Sequence, residues 1–346
     1  MTFLSERLGL SAPIIQAPMA GSQDHRLAAA VSNAGGLGSL PAAMLSLDAL
    51  HAELSALQTA TAGPYNVNFF CHTPPVPDAQ QLERWHTALA PYYREFGLDP
   101  TQIPSGAGRV PFSADAADVL EAFKPAVVSF HFGLPAPALL QRVKAWGSLV
   151  LSSATTVQEA LWLQAHGADA IIAQGLEAGG HRGMFLSDEL STQLGTFALL
   201  PQIVQAVQLP VIAAGGIAHA SGVQAAKALG ASGVQVGTAY LCSQEATTSA
   251  LHRTALQSPT AQHTALTNLF SGRPARGIVN RLMRELGPLS EQAPAFPLAT
   301  AGMAPLRAAA EARGSADFSP LWSGQNASGC RSASAQDITR ELIAAW

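Results

Sequence analysis

LVLSSATTVQEALWLQAHGADAIIAQGLEAGGHRG, residues 149–183, holds in one repeat the pattern that decides the fold. Leu149–Ser153 is a short apolar run of strand length, and from Thr156 to His166 the apolar positions recur at helical spacing. Gly167 supplies a helix stop, and Ala170–Gln174 is a second apolar run. Strand, helix and strand joined by short turns form the unit of a parallel sheet, whose strands read as apolar on both faces. Past the second strand the chain changes in kind: a glycine-rich stretch from Gly175 delivers His181.

Outward from this repeat the same punctuation recurs. Strands are predicted at Pro13–Pro18, Gly36–Leu40, Tyr65–Phe70, Ala126–His131, Leu149–Ser153, Ala170–Gln174, Val211–Ala214 and Val234–Gly237. Helical periodicity is read at Asp24–Asn33, Leu47–Thr59, Ala116–Phe123, Thr156–His166, Phe197–Val207 and Ser221–Leu229. Eight β-α units favour an α/β fold of the closed (β/α)8 TIM-barrel type over an open sheet. Two connections are too long for turns and are read as lid-like insertions. One spans Cys71–Ser113, with an amphipathic segment Ala79–Phe96 and a flexible PSGAGRVPF stretch; the other spans Gly175–Gly195. Both come after strands, on the face where barrel active sites lie. The expected organisation is a barrel over residues 1–257 and a C-terminal extension over 258–346 packing on it.

Composition narrows the partners. The chain has 346 residues, only 12% of them charged, with 23 acidic against 19 basic side chains. Such sparse, slightly acidic charge offers neither a basic stripe for nucleic-acid phosphates nor a polybasic run for a membrane surface. The three cysteines, Cys71, Cys242 and Cys330, form no C-x-x-C pair, which argues against a disulfide framework and a structural zinc site. Glu6 and Arg7 interrupt any signal-like apolar core, and no run reaches the roughly 18 apolar residues of a membrane span, so a cytoplasmic protein is expected. Alanine and glycine where charge is usual on helix surfaces leave room for a homo-oligomer.

The candidate chemistry gathers at strand ends. His181, just past glycines that let a flat or phosphorylated ligand approach the backbone, can exchange protons near neutral pH. Gly215 and Gly216 in PVIAAGGIAHASG, and Gly237 and Thr238 in GVQVGTAYL, put small residues at the seventh and eighth strand ends, where barrels bind phosphate through backbone N–H groups. Asn68 and Gln174 end buried strands with carboxamides suited to the edge of a heterocycle, and Gln16 and Met19 occupy similar places in the first unit. For Gln16 a polar group satisfied by backbone is the preferred reading. With no His/Cys/Asp cluster at metal spacing and no G-x-G-x-x-G loop, the pattern points to an organic phosphorylated cofactor, and FMN fits best.

Taken in order, IIQAPMAG, NAGGLGSL, NVNFF, AQGLEAGGHRG, AAGGIA, VQVGTAYL and SGRPARG resemble the nitronate monooxygenases, formerly 2-nitropropane dioxygenases, and in particular their class I branch. The resemblance runs over the whole chain. It implies an FMN-containing barrel that oxidises alkyl nitronates, including propionate 3-nitronate, with molecular oxygen. It also implies that His181 is the active-site histidine, that Asn68, Gln174, Gly179, Gly216, Gln235, Val236, Gly237 and Thr238 contact FMN, and that Met19 lies against the flavin. Two roles are open to His181, a protonated ring that holds the anionic nitronate and a neutral ring that deprotonates a nitroalkane, and the first is preferred. Two departures bear on substrate binding: Phe296 stands where related proteins often carry tyrosine, and PSGAGRVPF lacks an aromatic that related lids supply. The rival readings are an FMN-dependent enoyl-acyl-carrier-protein reductase using NAD(P)H, which EAGGH also resembles, and a non-catalytic flavin-binding barrel. An inosine-monophosphate-dehydrogenase-like reading would need Cys71 as nucleophile.

Overall fold

The computed structural model describes residues 2–106 and 108–346. Eight parallel strands form one sheet: β1 (Ile14–Gln16), β2 (Gly38–Pro41), β3 (Tyr65–Phe70), β4 (Val127–His131), β5 (Leu149–Ala154), β6 (Ala170–Gln174), and, after the two-residue β7 (Gly180–His181), β8 (Val211–Ala214) and β9 (Gly233–Val236). The order is β1-β9-β8-β6-β5-β4-β3-β2. The ring closes through a parallel bridge between Ile15 and Leu37, with Leu37 N–H donating to Ile14 O at 2.9 Å and Gln16 N–H donating to Leu37 O at 3.0 Å. The eight expected strands are therefore present, three with the expected ends and the others shifted by no more than two residues, within the ordinary uncertainty of element boundaries.

The alternation of side chains along each strand divides the core in two. Ile15, Leu37, Leu151, Ile172 and Ile212 fill the barrel interior, with Leu4 of the helix Phe3–Leu8 among them. Their neighbours Ile171, Ala173, Val211, Val234 and Val236 turn outward and pack under the helices. At roughly 25 cal/mol per Å² this two-sided burial dominates the folding free energy. The helices start where the sequence offers oxygen caps: Asp24 before His25–Asn33, Ser46 before Leu47–Ala60 and Thr156 before Val157–Ala165.

The long insertions and the C-terminal chain build the rim. The helix Ala79–Glu95 packs against the helix Ala299–Ala312, with Trp85, Leu89 and Tyr93 meeting Met303 and Leu306 in one cluster and Tyr93 Oη donating to Gly302 O at 2.8 Å. A second, antiparallel sheet runs β10 (Thr264–Thr267), β11 (Ala275–Ile278) and β7. The last helix, Ala335–Ala344, packs on His25–Asn33, on Ala220–Ala228 and on β1. The chain after residue 258 thus supplies both cover for the mouth and the helix that comes after β9 in the ring. Among the described residues, no helix is long and apolar enough to cross a membrane.

Candidate active site

A cavity opens at the C-terminal ends of the strands. Met19, Asn68, Gln174, Gly179, His181, Gly216, Gln235, Gly237 and Thr238 all line it. Val236 does not: it is 1% exposed and packs in the outer layer under the helices, because it alternates with Gln235 along β9. Any contribution of Val236 to a ligand comes from its backbone. Gln16 is spent internally, donating to Gln23 Oε1 at 2.7 Å and accepting from Ser39 N–H at 3.0 Å.

His181 sits on a strand and not on a free turn. β7 pairs with β11, Ala275 opposite His181 and Arg276 opposite Gly180, so the SGRPARG segment holds the histidine. The His181 carbonyl accepts from Gln174 Nε2 at 2.9 Å and from the His131 ring at 3.1 Å, and Gln174 Oε1 accepts from Gly183 N–H at 2.7 Å. Both ends of the Gln174 amide therefore fix the loop, where the sequence suggested an edge free for a heterocycle. Asn68 donates through Nδ2 to Ser129 and leaves Oδ1 unpartnered at the cavity.

Two glycines of the motif answer to protein neighbours. A Cβ on Gly179 would stand 2.5 Å from Gly324 N, and one on Gly183 would stand 2.8 Å from His131 Cε1. Close packing of the 323–324 segment and of His131 requires these glycines whatever the cavity holds. Arg182, fully buried, points away from the cavity: it donates to Gly175 O (2.6 Å), Gln174 O (2.8 Å) and Gln193 Oε1 (3.0 Å). Its role in the motif is to tie the insertion to the end of β6.

The His181 ring lies among aromatic rings, 5.3 Å from Phe296, 5.6 Å from Trp322 and 5.9 Å from Phe70 between centroids. Its Nε2 meets Ser271 Oγ at 2.8 Å. Ser271 Oγ also lies 3.4 Å from Arg273 O, a long contact beside the one to the imidazole. Burial, reinforced by Arg109, His131 and Arg273, holds the His181 pKa well below 6.5. His131 and His72 are likewise pushed down to about 4, mainly by burial. The imidazole is therefore neutral near pH 7 in this environment, contrary to the protonated form expected from the resemblance, and the nearby cations are Arg109 and Arg273.

At the other end, Gly216 has φ +73° and the backbone N–H groups of Gly216, Gly237 and Thr238 donate to no protein group among the described residues. Thr238 is braced by the C-terminal chain: its Oγ1 accepts from Gly324 N–H at 2.9 Å and its carbonyl from Cys330 Sγ at 3.0 Å. Gln235 Oε1 is buried without a partner and faces the cavity. Several lining residues carried no local signal in the sequence: Arg109, Trp322, Gly324 and Asn326 come from the lid stretch and the C-terminal chain. Cys71 does not line the cavity, and burial raises its thiol pKa far above neutral, which removes the nucleophile that a dehydrogenase of the inosine-monophosphate type would need. Among the described residues no group of His, Cys, Asp and Glu could hold a metal ion.

A closed barrel with a half-buried histidine, an open set of backbone donors and an aromatic wall at its strand C-termini suits a barrel oxidoreductase, the class that the comparisons show. The nitronate monooxygenase family matches residues 1–345. A nitronate monooxygenase of Paraburkholderia phytofirmans is 42% identical over 340 residues, 97% of this chain and 92% of that protein. The crystal structure of nitroalkane oxidase from Streptomyces ansochromogenes superposes with a TM-score of 0.89 at 38% identity, covering 99% of this chain and 96% of that one. FabK from Thermotoga maritima is more distant, with a TM-score of 0.72 at 25% identity over 100% and 96% of the two chains, so the enoyl reductase alternative is the less supported. The chain belongs to the nitronate monooxygenase family, which is generally flavin-dependent.

Proposed function

We infer that the protein oxidises alkyl nitronates, propionate 3-nitronate among them, with molecular oxygen and FMN as its cofactor. The observation that carries the cofactor assignment is the orphaned, buried Gln235 Oε1 together with three unpaired backbone N–H groups around one cavity. A buried acceptor without a donor costs about 1–3 kcal/mol, and a ligand presenting an N–H to Gln235 and a phosphate to Gly216, Gly237 and Thr238 would recover it. Asn68 Oδ1, Met19 and Gly179 complete the wall such a ligand would touch. FMN supplies the electron transfer and the reaction with oxygen.

The chain's own residues then divide the remaining work. His181, neutral, is held by Ser271 and β11 and offers its imidazole as the proton acceptor and hydrogen-bonding group at the substrate. Arg109 and Arg273 give this end of the cavity the positive field that attracts an anion. Phe70, Phe296 and Trp322 exclude water around the imidazole. A cytoplasmic enzyme with no macromolecular substrate belongs to this reading. Oxygen uptake by the purified flavoprotein with propionate 3-nitronate tests it. The His181→Asn variant is expected to lose about 10²- to 10⁴-fold in turnover while keeping its flavin; full turnover in that variant would refute the role of His181.

A further inference from the structure

Among the described residues of the lid stretch PSGAGRVPF, Arg109 is the one whose side chain reaches the cavity. Its Nη1 donates to Thr300 Oγ1 at 3.1 Å, and its Nη2 is 4.0 Å from Met44 Sδ. It makes no ion pair among the described residues, and burial lowers its pKa with no carboxylate offsetting the loss of water. A guanidinium carries five N–H donors, so most of its capacity faces no protein acceptor. The carboxylate that lines the cavity, Glu177, is engaged elsewhere: both its oxygens accept from Thr196 N–H, at 2.8 and 2.9 Å, and one also from Thr196 Oγ1. A partly desolvated cation without a counter-ion is costly, and an anionic ligand is the group that would relieve it.

Arg109 and His181 stand around one apolar ring. The Arg109 Cζ is 5.6 Å from the Phe296 centroid, and the His181 ring is 5.3 Å from it. This arrangement suits a short ligand with a polar group at each end and one or two carbons between, the carbons resting on Phe296. We propose that Arg109 is a specificity-determining residue that binds the distal carboxylate of a carboxylate-bearing nitronate while the nitronate end meets His181. The proposal rests on the nitronate reading above. It bears on the departure at Phe296: recognition by a charge-assisted bond stands in place of a phenolic hydroxyl there.

The test uses the holoenzyme, Arg109→Gln and Arg109→Lys with two substrates and one dead-end ligand. Propionate 3-nitronate carries the carboxylate, ethyl nitronate lacks it, and succinate presents two carboxylates across two carbons without being oxidisable as a nitronate. Arg109→Gln is expected to lower kcat/KM for propionate 3-nitronate by about tenfold to a hundredfold, and for ethyl nitronate, which loses only the general positive field, by at least about fivefold less. Arg109→Lys is expected to recover part of the loss, because it restores the charge without the planar fork. Succinate, titrated by calorimetry, should bind the wild type and bind Arg109→Gln at least about tenfold more weakly. Equal losses for both nitronates, or unchanged succinate binding, would overturn the proposal. If the wild type oxidises no nitronate, the functional reading fails, and the succinate titration still decides whether Arg109 is an anion site.

Discussion

Replacing Arg182 by methionine tests the reasoning about the EAGGHRG motif. The side chain keeps much of its length and loses its charge, so the volume at this fully buried position is nearly filled. Three acceptors, Gln174 O, Gly175 O and Gln193 Oε1, lose donors that stood at 2.8, 2.6 and 3.0 Å. Gly175 O keeps its bond from Ala178 N–H at 3.1 Å, so two acceptors are orphaned at about 1–3 kcal/mol each; removing the desolvated guanidinium returns part of that, giving a net loss of about 2–4 kcal/mol. Urea unfolding followed by far-UV circular dichroism should show a lower midpoint at an unchanged m-value. Because Gln174 O and Gly175 O mark the end of β6, from which β7 and His181 are held, turnover should fall while cavity residues remain unaltered. The double variant Arg182→Met, Gln193→Leu removes one orphan and is expected to regain about 1 kcal/mol. A loss below about 1 kcal/mol with wild-type turnover would refute the clamp.

Stability should also depend on pH in a defined window. His72, His131 and His252 have folded pKa values of about 4 and His181 lies well below 6.5, so the unfolded chain binds more protons than the native one between about pH 6.5 and 4. The stabilisation from keeping them neutral is present above about pH 6.5 and is lost as the pH falls through that window; urea midpoints that stay flat from about pH 7 to 4.5 would contradict it. His252→Gln, behind the cavity wall where Nε2 meets Trp322 O at 3.1 Å, should flatten the slope by about one proton. Gly179→Ala forces a Cβ to 2.5 Å from Gly324 N, so it should displace the 323–324 segment and weaken flavin retention on gel filtration. Cys71→Ala should keep wild-type turnover within about twofold, as a buried thiol outside the cavity takes no part in the chemistry.

The barrel was legible because each strand is an apolar run closed by glycine or proline, a local signal that survives without tertiary context. The cavity was legible at the strand ends for the same reason: Asn68, Gln174, Gly216 and Gly237 are placed directly by where their strands stop. What local reading missed is non-local. β7 exists because Ala275 and Arg276 pair with His181 and Gly180 from a distant part of the chain, and nothing within AQGLEAGGHRG announces a strand of two residues. Nothing beside His181 in the sequence announces Arg182 as a clamp, and only the carbonyls around it reveal one. The histidine's neutral state comes from burial and from two arginines contributed by distant segments. The helix Ala335–Ala344 has ordinary helical periodicity, and its place in the ring after β9 depends on contacts with His25–Asn33 and Ala220–Ala228.

The most direct test of the central claim is anaerobic mixing of the FMN-loaded protein with propionate 3-nitronate and, separately, with NADH and NADPH, monitored by flavin absorbance. Bleaching by the nitronate alone, reversed on admitting air, is the predicted result. Rapid bleaching by a nicotinamide with no response to the nitronate would contradict the account and favour the enoyl reductase.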